Sequence, residues 1–422
     1  MAFARLPQEL IDNIVDHLDN DEDLFSCSLV SHLFLLRCRQ LLFHTLWIVY
    51  SKSGHIFLTL NDLKDKKPGV VEFLDLLLKR PILQSYIQRL RLDLSFPALF
   101  FFGFQMFHHS ELLDVLRLLC PTVQDFTLTL ADKTQPKMHR YIRETHKFWR
   151  PFILQHVTTL NLEGLDMLPF NLASFSNLIA LTARRCTFEL GSGLPASSRE
   201  QTSRVGHLKS FSVSLDPAYM ESSLRCAEGV LQWSASSIER FKLVYHAGAG
   251  DLGSPNVTIG NCTEGIKSSK ILSLPNLPSL RHLDFEILDD LFYREESGFS
   301  PIAELLKTCT PNSKLSSISV LTTLHISHSR LPKATDDLYE NWEWRNWGVL
   351  DQPLYDIGRT LQRSISLEVH AHVEARRNRR LRFPKPDLGK DPDFKSLFRD
   401  KFPKACRSEF LSWNYDWTIY EC

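Results

Sequence analysis

The chain has 422 residues, of which 43% are hydrophobic, and its 49 lysine and arginine residues balance 49 aspartate and glutamate residues. This length exceeds that of most single compact domains, so two parts or one elongated repeat array are expected. The zero net charge excludes a global field that would draw the protein to nucleic acid, a membrane surface or acidic ligands, and any binding site has to be local.

The nine cysteines form no CxxC pair and show no regular spacing, which is typical of reduced and mostly buried thiols. We therefore expect a reducing compartment, the cytoplasm or the nucleus. The first residues, MAFARLPQELIDN, turn acidic where a secretory signal needs an apolar run, so export is not expected and the sequons at Asn256 and Asn261 are expected to be unused. The most apolar stretch, residues 94–107, is too short to span a bilayer.

The first fifty residues predict three short helices. Pro7 suits the first turn of a helix, because its missing amide hydrogen would have no partner there. Apolar residues then recur at three- and four-residue spacing and give one apolar face: Leu10, Ile11, Ile14, Val15 and Leu18. Asp21 is a candidate cap for a second helix with the sequence EDLFSCSLVS, and a third helix is expected from about His32 to Leu46.

The same region contains a dense motif. It reads Leu6-Pro7-x-Glu9-Leu10-x-x-x-Ile14, followed by Asp23-Leu24 and by Ser28-Leu29-Val30-Ser31-x-x-Phe34. This motif resembles the F-box, a module that docks onto the Skp-family adaptor of cullin-RING ubiquitin ligases. The resemblance places that contact on Leu6, Pro7, Leu10, Ile14, Leu24, Leu29, Val30 and Phe34. Phe34 stands where many F-box members have tryptophan, and it keeps an aromatic anchor. The alternative is that these residues only form the core of a three-helix bundle.

After Trp47 the sequence returns repeatedly to a strand motif of the form L-x-L, usually with another apolar residue three positions earlier. The copies are IQRLRLDL (87–94), VQDFTLTL (123–130), VTTLNL (157–162), LIALTA (178–183), LKSFSVSL (208–215), IERFKLVY (238–245), LRHLDFEI (280–287), LTTLHI (321–326) and SISLEV (364–369). Amphipathic stretches lie between several copies, at 70–78, 111–119, 220–233, 301–309 and 354–361. The spacing of the copies lies within or near the roughly 20 to 50 residues that indicate stacked repeats.

Strand and helix therefore alternate, and such units are expected to stack into a solenoid because none can bury its apolar face alone. The array resembles leucine-rich repeats, a common partner of the F-box in fungal F-box proteins, although the asparagine that usually follows L-x-L is mostly absent. The predicted fold class is α/β: an N-terminal three-helix F-box, then an irregular leucine-rich-repeat-like β/α solenoid with parallel strands on the concave face. The predicted domains are the docking module 1–47, the solenoid 48–375 and a basic and aromatic segment 376–422 packed on the last repeats.

Alternation along each strand turns the leucines to the core and the residues between them to the concave solvent side. The candidate target-binding residues on this side are Arg91, Asp93, Lys242, Asp284, Glu286, His325, Glu368, His370 and His372. Hydroxyl and amide groups accompany them at Thr127, Thr129, Asn161, Ser212 and Ser214. The mixture of charge signs and hydroxyls suits a protein target better than a phosphate backbone.

Two patterns suggest small-ligand sites, and neither is favoured. Gly248, Gly250 and Gly253 fit G-x-G-x-x-G after a strand, but the Gly- and Asn-rich stretch after Pro255 cannot supply the helix that a dinucleotide needs, so an inter-repeat loop is predicted. In LEVHAHVE, residues 368, 370, 372 and 374 share one strand face. Their spacing leaves the four side chains in a row, which favours a solvated face over a zinc site.

Two other segments have an interface alternative. Trp342, Trp344 and Trp347 are candidate target anchors, since exposed tryptophan favours interfaces, and they can equally pack on the last repeats. The arginine-rich run 376–382 can be a nuclear address, a phosphoprotein contact or only a solvated face.

The sequence has no G-x-S-x-G elbow, H-E-x-x-H helix or Walker loop, so no enzyme activity, cofactor or metal is expected. The F-box resemblance implies a substrate-recognition adaptor of a Skp–cullin–F-box ubiquitin ligase. In this role the F-box binds the Skp-family adaptor and the repeats bind a target protein, which raises the local concentration of target lysines near ubiquitin. The alternative is a non-catalytic scaffold or assembly protein outside ubiquitin transfer. Neither nucleic acid nor a membrane is an expected partner.

Overall fold

The computed structural model describes the chain in segments: 6–18, 20–50, 56–60, 69–94, 110–130, 156–164, 177–184, 186, 207–215, 220–247, 273–290, 299–327, 348–362, 364–376, 400 and 402–421. The chain divides into two units, Met1–Thr182 and Ala183–Cys422. Both are mixed α/β, with an open arrangement of parallel strands. Within these segments, no helix has the length and apolar character needed to cross a membrane. The domain boundaries predicted at residues 47 and 375 stay predictions.

The first unit begins with three helices, α1 (Gln8–Asp16), α2 (Asp21–Val30) and α3 (His32–Leu42). The predicted cap of α2 is wrong by one residue. Asn20, not Asp21, precedes the helix, and its side-chain oxygen accepts a hydrogen bond from the amide of Asp23 at 2.7 Å. Asparagine and aspartate cap equally well, so composition alone does not decide between neighbours.

The three helices enclose a small core of Ile11, Val15, Leu24, Phe34, Cys38 and Leu42. A two-point ion pair ties α3 to α1, because Arg37 donates to both carboxylate oxygens of Asp16, at 2.6 and 2.8 Å. Gln8 at the start of α1 also donates to the backbone oxygen of Leu33 at 3.2 Å. The helices are therefore fixed against one another by polar contacts as well as by the core.

The remaining elements of the first unit alternate between strand and helix. They are β1 (Thr45–Tyr50), β2 (Ile56–Leu60), α4 (Val70–Lys79), α5 (Ile82–Tyr86), β3 (Arg89–Leu94), α6 (Ser110–Leu119), β4 (Asp125–Leu130) and β5 (Thr159–Glu163). β6 (Ala180–Arg184) runs across the boundary of the units. The strand order is β2-β1-β3-β4-β5, and only the β1–β2 pair among these strands is antiparallel.

The second unit continues the alternation. Its elements are β7 (Ser210–Leu215), α7 (Met220–Ser234), β8 (Arg240–Ala247), β9 (His282–Asp290), α8 (Ser300–Leu306), β10 (Ser317–Ser327), α9 (Gly348–Leu361), β11 (Ile365–Arg376) and β12 (Leu411–Glu421), with short 3₁₀ turns at Leu274–Asn276 and Ala405–Arg407. Strands β7 to β12 follow chain order, and the pairs from β7–β8 to β11–β12 are parallel.

A repeated backbone contact precedes the strands of both units. One carbonyl of each segment accepts hydrogen bonds from two consecutive amides of the next segment, at 2.8–3.1 Å. The acceptors are His44, Gln88, Gln124 and Thr158 in the first unit and Lys209, Glu239 and Arg281 in the second. The residue two positions before each of the strands β3 to β10 is also buried and apolar: Ile87, Val123, Val157, Leu178, Leu208, Ile238, Leu280 and Leu315. One local geometry therefore recurs along the chain.

All nine predicted strands are present, but one copy was assigned too late in the sequence. In β10 the buried pair in register with Leu283 and Phe285 of β9 is Ile318 and Val320, not the leucines of LTTLHI. Leu321 instead lies in register with Glu286. β-Branched residues suit a half-buried strand as well as leucine does. The L-x-L pattern therefore pointed to residues 321–326 and not to Ile318 and Val320.

Three strands were missed. β1 was assigned in part to the third helix, which ends at Leu42 because Thr45–Tyr50 pairs in register with β3. β2 is a short antiparallel partner of β1. β12 carries Trp413 and Tyr415 at the register positions of Leu367 and Val369 in β11, so a search for leucine does not find it.

The end of α9 offers a test of the backbone geometry. Gln362 has a φ of 47°, and its amide donates to the backbone oxygen of Gly358 at 3.0 Å. A residue with a Cβ atom is strained in this left-handed conformation. We expect Gln362→Gly to raise the free energy of unfolding by about 0.5–1 kcal/mol, measured by denaturant titration. Gln352→Gly, on the exposed side of α9, should lower it by about 1 kcal/mol, and equal effects of the two would contradict the prediction.

Candidate docking site on the N-terminal helices

The apolar stripe of α1 is wider than the core that it covers. Ile11 and Val15 are 1% and 0% exposed, whereas Leu10 and Ile14 are 50% and 46% exposed. Successive helical residues lie about 100° apart, so the two pairs form adjacent rows one residue out of phase. The sequence predicted a single apolar face, and the structure divides it into an inner row and an outer row.

The end of α2 also exposes apolar residues. Leu29 and Val30 are 72% and 77% exposed, and Leu6 and Pro7 before α1 are also exposed. Six of the eight residues predicted to bind the adaptor are therefore accessible. The other two, Leu24 and Phe34, belong to the helical core. Their predicted contact with the adaptor stays a prediction.

Sequence reasoning missed two exposed apolar residues, Phe25 on α2 and Leu36 on α3. Phe25 follows the buried Leu24, and Leu36 lies two residues after the buried Phe34. In both helices the apolar residues outnumber those that one helix face can bury, so the sequence indicates that some of them are exposed. The sequence does not say which ones.

The polar groups around this surface are structural in character. The hydrogen bond to Asp16 raises the pKa of the Arg37 guanidinium, which keeps the ion pair charged. Burial raises the pKa of the Cys38 thiol to about 11, and the neighbouring Cys27 adds to the rise, so this thiol stays protonated and unreactive at neutral pH. The surface is suited to binding an apolar protein face and has no visible catalytic chemistry among the described residues.

Two candidate target-binding residues of the first unit, Arg91 and Asp93, lie on β3 beside Trp47 of β1. Arg91 places its guanidinium 4.6 Å from the ring centroid of Trp47 and 3.3 Å from a carboxylate oxygen of Asp93. Asp93 itself is buried. Arg91 is therefore held in one orientation by a cation–π contact and an ion pair.

In the second unit the strand register brings Lys242, Asp284, Ser319 and Glu368 into one row across β8 to β11. Lys242 forms an ion pair with Glu286 at 2.6 Å, and Arg240 lies 3.9 Å from Asp284. Burial and, to a smaller degree, Glu368 raise the pKa of the Asp284 carboxyl, although Arg240, Lys242 and His282 act in the opposite direction. Among the described residues, these cations therefore compensate the carboxylate's loss of hydration only in part.

The remaining candidate residues are placed only in part. His325 lies in register with Asp290 and Glu374, and His370 and His372 lie in register with Leu321 and Thr323 of β10. Trp342, Trp344 and Trp347 and the glycine motif at 248–253 lie outside the described residues. Across the segments that the structure covers, no cluster of three or more His, Cys, Asp or Glu residues is arranged to hold a metal ion.

Comparison with known families adds one finding. The family model for the F-box domain matches residues 3–46, which include α1, α2, α3 and every exposed apolar residue of these helices. No curated protein matches the chain. F-box domains generally mediate binding to the Skp-family adaptor of cullin-RING ubiquitin ligases, and proteins that carry them are typically non-catalytic adaptors. Residues 3–46 of this chain are an F-box domain.

Proposed function

We propose that the protein is a substrate-recognition adaptor of a Skp–cullin–F-box type ubiquitin ligase. The observation that carries the proposal is the set of exposed apolar residues on helices α1 and α2 of the F-box. Leu10, Ile14, Leu29 and Val30 are exposed although burial of such side chains is favourable by about 1.5–3 kcal/mol each. Exposed apolar residues of this kind mark a surface that a partner protein covers.

The strand region is the proposed target-binding part. Its recurring strand geometry supports a leucine-rich-repeat-like array, in which side chains on one face of parallel strands are available to a target. Asp284 supports a basic group on that target, because a cation placed beside this partly compensated carboxylate would favour its charged form. Glu286 and Glu368 of the second unit are further proposed contacts, and Arg91 is a proposed contact of the first unit.

The protein would act by proximity. The F-box fixes one end of the chain to the ligase while the strand face holds the target, so lysines of the target are concentrated near the ubiquitin-loaded enzyme. The described cysteines form no disulfide with one another, and Cys38 and Cys186 are buried, which supports action in a reducing compartment such as the cytoplasm or the nucleus.

Two variants separate the two halves of this proposal in cells. With Pro7→Ala, Leu10→Ala and Ile14→Ala together, we expect the chain to lose the Skp-family adaptor and cullin but to keep its target, whose half-life lengthens. With Asp284→Ala and Glu368→Ala, we expect the reverse: the adaptor and cullin are retained and the target is lost. The measurements are affinity purification with mass spectrometry and target turnover.

The competing function is a scaffold or assembly protein outside ubiquitin transfer. It predicts that the intact chain purifies without a cullin, or that bound proteins keep the same half-life in both variants. Either result, with both variants folded, would overturn the ligase function.

A further inference from the structure

One row of side chains crosses four strands of the first unit. Trp47 of β1 is in register with Arg91 of β3, Arg91 with Thr127 of β4, and Thr127 with Asn161 of β5. In each of these strands the residues directly before and after the row are buried apolar residues. Because side chains alternate along a strand, the row lies on the side of the strands that faces away from the core.

The cations of this surface reach further into solvent than the anions. Arg91 pairs with Asp93 at 3.3 Å, and the two side chains are 46% and 11% exposed. Arg89, two residues earlier on the same strand, pairs with Asp125 at 3.1 Å, and these side chains are 52% and 24% exposed. Since electrostatic interactions weaken with distance, an approaching group interacts first with the two guanidinium groups. The outer layer of this surface is therefore positively charged.

Arg91 is held in one orientation, which favours the binding of an anion. Its guanidinium lies 4.6 Å from the ring centroid of Trp47, and its contact with Asp93 involves the nitrogen Nη2. An arginine stacked on an aromatic ring loses little further freedom when its planar fork donates to a carboxylate. The indole N–H of Trp47 is buried and has no hydrogen-bond partner among the described residues. The contribution of Trp47 is therefore its ring, which positions Arg91.

Thr127 adds a neutral donor beside Arg91. The side-chain amide of Asn161 donates to the hydroxyl oxygen of Thr127 at 3.3 Å and to a carboxylate oxygen of Asp125 at 3.2 Å. Since the hydroxyl oxygen is the acceptor in this contact, the hydroxyl hydrogen can donate to another group. A hydroxyl donor next to a guanidinium matches the two acceptor oxygens of a carboxylate.

The charge balance favours an anion with a single charge. Arg89 and Arg91 are each paired with an aspartate, so the four side chains together carry no net charge. A carboxylate adds one negative charge. A phosphate monoester adds about 1.5 to 2 near neutral pH, and the two aspartates would repel it more strongly. The side chain of an aspartate or glutamate in a protein supplies the singly charged group.

We propose that Arg91, oriented by Trp47 and assisted by Arg89 and Thr127, binds an aspartate or glutamate side chain of the target protein. The inference rests on the proposed function, in which the strand region holds the target. It gives β3 and β4 of the first unit a preference for an acidic segment, whereas the group proposed for Asp284 in the second unit is basic.

The test uses random linear peptides displayed on phage and selected on the purified full chain. We expect the selected peptides to share an aspartate or glutamate at one position. Replacing that residue by its amide, and separately Arg91→Gln in the chain, should each weaken binding of the synthetic peptide by about tenfold, which is the effect of one charged hydrogen bond. The two changes together should weaken binding little more than either alone, because they remove the same contact.

Arg117→Gln is the matched control. Arg117 is an exposed arginine of the same unit that pairs with Asp114 at 2.9 Å, and it lies on helix α6. This variant should bind the peptide as the intact chain does. Arg91→Lys keeps the charge but not the planar fork, so its affinity should lie between those of the intact chain and of Arg91→Gln. If Arg91→Gln lowers the unfolding temperature, the amide peptide still tests the contact, because it is measured on the unchanged chain.

Three results would overturn the inference: no common acidic residue among the selected peptides, an equal effect of Arg91→Gln and Arg117→Gln, or tighter binding when phosphoserine replaces the acidic residue. The third result would make the ligand a phosphate group. Binding of the intact chain to the purified Skp-family adaptor is measured on the same sample. If that binding is absent while the acidic preference is present, the proposed function fails and the peptide contact at Arg91 stands.

Discussion

Replacing Leu10 and Ile14 by aspartate is expected to weaken binding of the Skp-family adaptor by at least about 100-fold, which corresponds to two contacts of about 1.4 kcal/mol or more each. Both side chains are half exposed on the outer row of α1, so neither contributes much to the helical core. The unfolding temperature should therefore stay unchanged. A charge inserted into an apolar interface costs more than the lost contact, because the carboxylate is desolvated without a partner.

The neighbouring inner row provides the contrast. Ile11→Ala removes a side chain that is 1% exposed and should destabilise the F-box by about 2–5 kcal/mol. The Ile11→Ala variant should lose adaptor binding in proportion to the helical circular dichroism signal that it loses. Asn13→Asp, on an exposed position of the same helix, controls for the added charge and should bind normally. If the Leu10 and Ile14 variant binds as the intact chain does, the outer row is not the docking surface.

The division of α1 into two rows also marks what the sequence can predict. The three- and four-residue spacing identified the helix, because burial of any part of an apolar stripe requires that period. Whether Leu10 or Ile11 faces inward depends on how α1 is rotated about its own axis when it packs with its neighbours. The spacing within α1 does not show this rotation, and only the F-box resemblance assigned Leu10 and Ile14 to an outside contact.

The strands follow the same logic. The alternation of apolar and polar residues located β3 to β11, since each strand buries one side. Lys242, Asp284 and Glu368 each lie between the two apolar residues of their L-x-L copy, so the alignment of the copies already placed them at one repeat position. That they form one row across β8 to β11 was established only by the strand register of the structure. β12 was missed because Trp413 and Tyr415 take the positions that leucine and valine hold in β11.

A large stability effect in the second unit is expected at Asp351. This aspartate of α9 is 6% exposed, and its carboxylate accepts hydrogen bonds from the backbone amides of Lys404 at 3.0 Å and Ala405 at 2.8 Å. It thereby fastens the turn that precedes β12 to α9. The approach is close, since a Cβ atom on Gly358 would lie 2.9 Å from the hydroxyl oxygen of Ser408.

Asp351→Ala should lower the free energy of unfolding of the second unit by about 3 kcal/mol, because two amides lose a charged acceptor and one of them is buried. Denaturant titration measures the loss, and hydrogen exchange of the Lys404 and Ala405 amides should accelerate with it. Asp351→Asn keeps one acceptor oxygen and should lose about half as much.

Asp356→Ala is the control on the same helix. The Asp356 carboxylate is exposed, and among the described residues it accepts a surface hydrogen bond from Gln352. This substitution should change the free energy of unfolding by less than about 0.5 kcal/mol. Equal losses for the two aspartates would mean that α9 is sensitive to any change, and the anchoring role of Asp351 would be wrong. A large loss at Asp351 alone would mean that the last strand is held through one carboxylate on α9 as well as through its pairing with β11.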